Sequence, residues 1–143
     1  MSLPRRFCTF YLDGCFFGID VSRVQEVFRF QTMTRVPLAP TVIRGLINLR
    51  GQIVTALDLR CRLGLPERSL QSAPMNVVVR SGEDAVSFLV DTIEDVMQVE
   101  DGDFEAPPPT LSGVSRTLIQ GTYKLKDRLL LVLDIDQAVR LGA

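Results

Sequence analysis

Apolar residues in this chain fall in short runs cut by turn residues, the pattern of a protein built from short strands. Phe7 to Leu12 and Cys15 to Ile19 flank Asp13-Gly14, a dipeptide that suits a two-residue hairpin turn. From Asp20 the spacing changes. Val21, Val24, Val27 and Phe28 lie three, three and one apart, which predicts a short helical turn over 20–27 capped by Asp20. On such a turn Val21 and Val24 share one side, with the Glu26 carboxylate close by. An extended stretch to Val36 gives way to a loop imposed by Pro37 and Pro40, after which Gly45 to Leu49 and Gln52 to Leu57 flank Arg50-Gly51 as a second hairpin. Asp58 is placed to cap a helix over 59–63 that Gly64 ends, and the polar, proline-flanked stretch 66–74 predicts a linker.

The pattern then repeats. Gly45-x-x-x-Leu49 and Leu57-Asp58-Leu59 recur 76 positions on as Gly121-x-x-x-Leu125 and Leu133-Asp134-Ile135, and Phe17-x-Ile19-Asp20 recurs 71 positions on as Phe88-x-Val90-Asp91. Val24-x-x-Val27 is answered by Val96-x-x-Val99. Three matches in one order predict two similar small β-barrels of about five short strands each, an all-β fold with short helices. The copies differ at one informative place: Asn48-Leu49-Arg50-Gly51 in the first becomes Lys124-Leu125-Lys126-Asp127 in the second.

Composition narrows the chemistry. The chain has 143 residues, enough to bury roughly 68–70% of its unfolded surface without a metal or disulfide. Sixteen basic against 17 acidic residues leave a formal charge of −1, which removes the long-range attraction to phosphate that non-specific nucleic-acid binding needs. With no histidine and three cysteines (Cys8, Cys15, Cys61) outside any CxxC spacing, the common zinc sets and Ser-His or Cys-His nucleophile pairs are out of reach. The cysteines read as small apolar residues. No GxGxxG or GxxxxGK[ST] string is present, and Asp134 with Asp136, or Asp101 with Asp103, lacks the ligand pattern of a calcium loop. No catalytic group, metal or cofactor is therefore expected. The longest apolar run, Leu129 to Leu133, is far below the ~20 residues of a membrane span, and Met1 to Phe10 has no secretory core, so the chain is expected to be cytoplasmic. Fourteen of the sixteen basic residues are Arg, a bias that either interface pairing or codon usage produces.

Glu26 and Arg50 are the opposite charges that stand out. On a turn and a hairpin of the same half they form either an ordinary surface pair or a fork beside an apolar groove that receives an amphipathic partner helix. Asp58 and Asp134, at equivalent repeat positions, read as helix caps. Phe104 to Thr110, FEAPPPT, is a stiff connector or a polyproline ligand.

These residues, FGIDVSRVQEV (17–27), TRVPLAPTVIRGLINLRGQIV (34–54), ALDLRCRLGL (56–65) and VSFLVDTIEDV (86–96), resemble the CheW-like adaptor domain of bacterial chemotaxis systems, in order from about Arg6 to Leu141. The resemblance implies two five-stranded SH3-like β-barrels packed around a shared hydrophobic core. It implies a single domain over 6–141 with lobes near 6–65 and 75–141, exchange of strands between them left open. It also implies a non-enzymatic scaffold without cofactors. The partners it implies are the cytoplasmic tip of methyl-accepting chemoreceptors and the CheW-like regulatory domain of a CheA-type histidine kinase, with recruitment to receptor arrays at the inner face of the membrane. Val21, Val24, Glu26 and Arg50 match the family's receptor-tip groove; Met33, Thr34 and Ile53 mark the expected kinase contact. Glu105 and Pro109 stand in a connector where relatives differ in charge. The alternatives are a small-ligand or catalytic barrel using the inter-lobe cleft with Glu26, Arg50 and Asp58 as its polar groups, and the same adaptor serving a kinase that governs surface motility, development or gene expression.

Overall fold

The structure, a computed structural model, describes residues 5–29, 32–67, 73–100, 103–107 and 114–140. Its first hairpin, β1 (Arg5–Leu12) and β2 (Cys15–Asp20), turns on Asp13 and Gly14 with φ of 50° and 78°, as the Asp-Gly pair predicts. A 3₁₀ turn follows over Val21–Arg23, its Ser22 amide donating to Asp20 Oδ1 at 2.9 Å. The helical turn expected over 20–27 ends there, because Val24–Phe28 is a strand, β3. β3 pairs with β6 (Met75–Ser81) through a register irregularity between Val24 and Glu26. One extra residue breaks strict alternation, so a bulged strand of β-branched residues shows apolar positions three apart and imitates a helix.

The second hairpin, β4 (Ile43–Leu49) and β5 (Gln52–Asp58), turns on Arg50 and Gly51, both at positive φ. Helix α1 (Leu59–Leu63) is capped by Asp58, whose Oδ1 accepts from the Arg60 amide at 3.0 Å, and is ended by Gly64 at φ 78°. The rest of the chain forms β7 (Asp84–Val90), β8 (Thr92–Val99), β9 (Phe104–Glu105), α2 (Val114–Thr117), β10 (Ile119–Lys124), β11 (Leu129–Leu133) and α3 (Ile135–Ala138). Asp134 caps α3 as Asp58 caps α1, accepting from the Gln137 amide. Part of the proline-rich connector is thus a strand, β9; residues 108–110 of that connector, Pro109 among them, and 68–72 of the linker lie outside the described residues.

The fold is mostly β, as expected, in two sheets ordered β8-β1-β2-β11-β10-β9 and β3-β6-β7-β5-β4. The first has six strands where five are expected, because the two-residue β9 pairs with β10. The sheets do not follow the sequence halves 6–65 and 75–141. Each houses the hairpin of one half among strands of the other: β1-β2 sits between β8 and β11, and β6-β7 between β3 and β5. The joins β2·β11 and β5·β7 are parallel; neighbouring strands otherwise run antiparallel.

Alternation along these strands builds separate cores. Val77, Val79, Phe88 and Val90 turn one way, joining Phe10, Leu12, Phe17 and Ile19 of the other sheet and Leu59 and Ile135 of the helices in the shared central core. Their neighbours Val78 and Ala85 turn the other way and pack with Leu49 and Val54 inside the five-stranded unit, where Leu89 also meets Ile47 and Ala56. Phe7, Phe16, Tyr123, Leu130 and Val132 fill the six-stranded unit. The shared core of the expectation is present, with a smaller core on either side of it.

Candidate partner-binding site

Glu26 and Arg50 meet. Arg50 donates from both terminal nitrogens, 2.9 Å to Glu26 Oε2 and 2.6 Å to Oε1, a bidentate fork. The backbone prepares it. Arg50 sits at φ 53° on the hairpin tip, and Asn48 Oδ1 accepts from the Gly51 amide at 2.9 Å, which sets the turn and aims the guanidinium. Because β3 and β4 are opposite ends of the strand order β3-β6-β7-β5-β4, the fork ties the five-stranded sheet back onto itself. The arginine side chain is 74% exposed and the carboxylate 23%, so the pair adds only ~0–1 kcal/mol to stability while presenting most of its cation to solvent.

The other expected residues distribute unevenly. Val21 is half-buried on the 3₁₀ turn, and Val24 packs against the central core, so the two do not share a helical side. Met33 is half-buried against Ile47, Ala56 and Leu89. Thr34 bridges to β4, exchanging backbone hydrogen bonds with Leu46 at 2.8 and 2.7 Å. That crossing needs Gly45, where a Cβ would lie 2.8 Å from the Thr34 carbonyl and 2.9 Å from Met33 Cβ. Ile53 projects from β5 and is 60% exposed, so of the three expected kinase-contact residues it offers the largest apolar surface. Asp58, grouped with Glu26 and Arg50 in the cleft alternative, is buried and committed to Arg44 at 3.0 Å and to its helix cap.

Val27, Leu38 and Val96 are exposed apolar residues that the sequence reading did not place at the surface. The repeat gave no signal for Val96, whose partner Val24 packs against the central core, and Val27 was hidden by the helical reading of β3. Other charges pair within the fold. Arg60 bonds Asp91 at 2.5 and 2.9 Å, which holds its guanidinium above the usual range, and lies 3.8 Å from Asp13. No group of three or more metal-ligating side chains occurs among the described residues, and no helix there is long and apolar enough to cross a membrane.

The profile of the CheW-like domain matches residues 6–142. This chain belongs to the CheW-like family. Among CheW-like relatives, chemotaxis protein CheW of Treponema pallidum is 31% identical over 131 residues, covering 89% of this chain and 77% of that one. Chemotaxis protein CheW of Bacillus subtilis is 31% identical over 125 residues, covering 87% and 80%. The crystal structure of the scaffolding protein TtCheW from Thermoanaerobacter tengcongensis superposes with a TM-score of 0.88 at 25% identity, covering 98% of this CheW-like chain and 95% of that one. The exchanged two-sheet arrangement is accordingly that of a solved CheW structure over nearly its whole length.

Proposed function

We propose that this chain is a non-enzymatic scaffold of chemotaxis or chemotaxis-like signalling, coupling the cytoplasmic tips of methyl-accepting chemoreceptors to a CheA-type histidine kinase. It acts in the cytoplasm, at receptor arrays on the inner face of the membrane. The observation that carries the reading is the Glu26–Arg50 fork, a charge pair held by a preset hairpin with its cation left largely to solvent. As a stabilising device it adds little; as a register mark for an incoming polar partner it is preorganised. Val21 and the exposed side of Val24 supply the apolar ground beside it for the receptor hairpin, and Ile53, with the crossing Met33-Thr34, supplies the face for the kinase. Membership of the family and the solved scaffold neighbour support the scaffold reading.

Binding of the chain to a receptor-tip fragment and to a CheA-type kinase tests this, with Arg50→Glu and Ile53→Glu beside wild type. Wild type should bind both partners. Arg50→Glu, which sets two carboxylates against each other without touching a core, should lose the receptor tip and keep the kinase, and Ile53→Glu should do the reverse. Wild-type behaviour of both folded variants, or no binding by the wild type, overturns the assignment.

A further inference from the structure

We infer that residues 35–42, leading into β4, are a docking element whose knob is Leu38 and whose partner is an apolar socket rimmed by carboxylates on the CheA-type kinase. The inference rests on the kinase face proposed above and deepens it by naming the partner's chemistry.

From Val27 to Leu57 the sequence holds four arginines and no acidic residue. Arg50 is answered by Glu26 and Arg44 by Asp58. Arg29 and Arg35 are exposed and form no ion pair among the described residues, so this stretch carries a net positive field.

In that field stands Leu38, fully exposed at the loop tip. One exposed leucine is ordinary. This one is held at φ 63°, in the left-handed region where a leucine is strained. Pro37 and Pro40 flank it, and backbone bonds from Ala39 to the Val36 carbonyl and from Ile43 to the Pro40 carbonyl hold the loop closed. A strained dihedral that presents an apolar side chain to water, in a rigid loop, gains nothing for the folded chain by itself. Beside the knob a cleft of about 550 Å³ is lined by Val36, Pro40, Ile43, Arg35 and Arg44, with Arg35 as its uncommitted cation. The loop therefore offers a projection for an apolar socket and a recess for a carboxylate. Met33 and Thr34, proposed above for the kinase contact, lead directly into it along the chain from their crossing over Gly45.

A second copy fits less well, since the exposed acids Glu94 and Asp95 on β8 adjoin Val96, itself a projecting side chain. A bilayer fits less well too, because a single leucine and two arginines hold an anionic surface only marginally.

The test is calorimetric titration of the full chain with full-length CheA-type kinase. Leu38→Gly removes the knob and relieves the positive φ, so it should melt at or above the wild-type temperature. Its Kd for the kinase should rise about ten- to thirtyfold. Arg35→Glu should also weaken binding, with a smaller salt dependence than wild type. Leu38→Gly binding within about twofold of wild type would overturn the docking element and leave the kinase reading standing; no binding by wild type overturns both. Leu38→Gly that alters only sedimentation of the chain alone, or only binding to phosphatidylserine vesicles, would move the loop to a second copy or a membrane and overturn the assignment to the kinase.

Discussion

Glycine marks two places where one segment of this chain runs tight against another. At Gly45 the crossing segment is Met33-Thr34, and at Gly121, its repeat equivalent, it is Phe104-Glu105, with a Cβ falling into the Phe104 ring and 2.6 Å from the Glu105 carbonyl. Neither glycine needs unusual dihedrals; what each supplies is the absence of a side chain. Gly45→Ala and Gly121→Ala should each cost about 1–3 kcal/mol through overpacking against backbone that has little room to retreat. Thermal melting checks this. Gly121→Ala should displace Phe104 as well, since the Phe104 and Tyr123 rings pack at 5.2 Å. The cysteines separate by environment. Burial pushes the Cys8 thiol up from its ordinary value while Cys15 lies at the surface, so a thiol reagent followed by mass spectrometry should mark Cys15 early and Cys8 only on unfolding.

Short helices α1 and α3 occupy equivalent places, and the contacts that fasten them run with opposite charge. On α1 it is Arg60 that reaches the carboxylates of Asp91 and Asp13; 76 positions on, the α3 residue is Asp136, which accepts from Arg23 at 2.6 Å and from Ser81 at 2.9 Å. Arg23, with Ser81 helping, holds the Asp136 carboxyl below its usual range. A carboxylate whose folded pKa is lowered contributes stability above its unfolded value and loses it as pH falls through the folded one. The melting difference between wild type and Asp136→Asn should therefore be full above about pH 4 and close at lower pH. Hairpins, caps and the α1 stop were legible because each is local: Asp13-Gly14, Arg50-Gly51, Asp58, Gly64 and Asp134 act within a few residues of themselves. β3 was not, because its bulge is set by β6, some fifty residues away, and only the partner strand decides that Val24 to Phe28 is extended. The Glu26–Arg50 fork was legible as a pair of charges; that it closes a sheet depends on strand order, which no local pattern encodes.

Across the whole molecule the repeat maps one sheet onto the other, β9 aside, and the two hairpins change places. Neither half can satisfy its own edges: residues 1–72 lack the strands beside β1 and β2, and 73–143 lack those beside β6 and β7. The two pieces produced separately should be unfolded by circular dichroism, and mixing them should restore the β spectrum with a single melting transition. Two independently folded pieces would contradict the exchange. Arg62 adds a further cross-link between halves, donating to the carbonyls of Gln137, Ala138 and Arg140 at the end of α3.

Reciprocal exchange also writes a timetable for synthesis. β1 leaves the ribosome first, but Thr9 waits 86 residues for the Asp95 carbonyl it bonds, and Arg5 waits 118 for Tyr123. Meanwhile β3, β4 and β5 need only β6 and β7, so the five-stranded sheet can assemble while the N-terminal hairpin, with Phe7, Phe10, Phe16 and Phe17, has no mate. The hairpin made first is housed last, and a nascent chain stalled short of Leu133 can offer it β8 on one side but no β11 on the other.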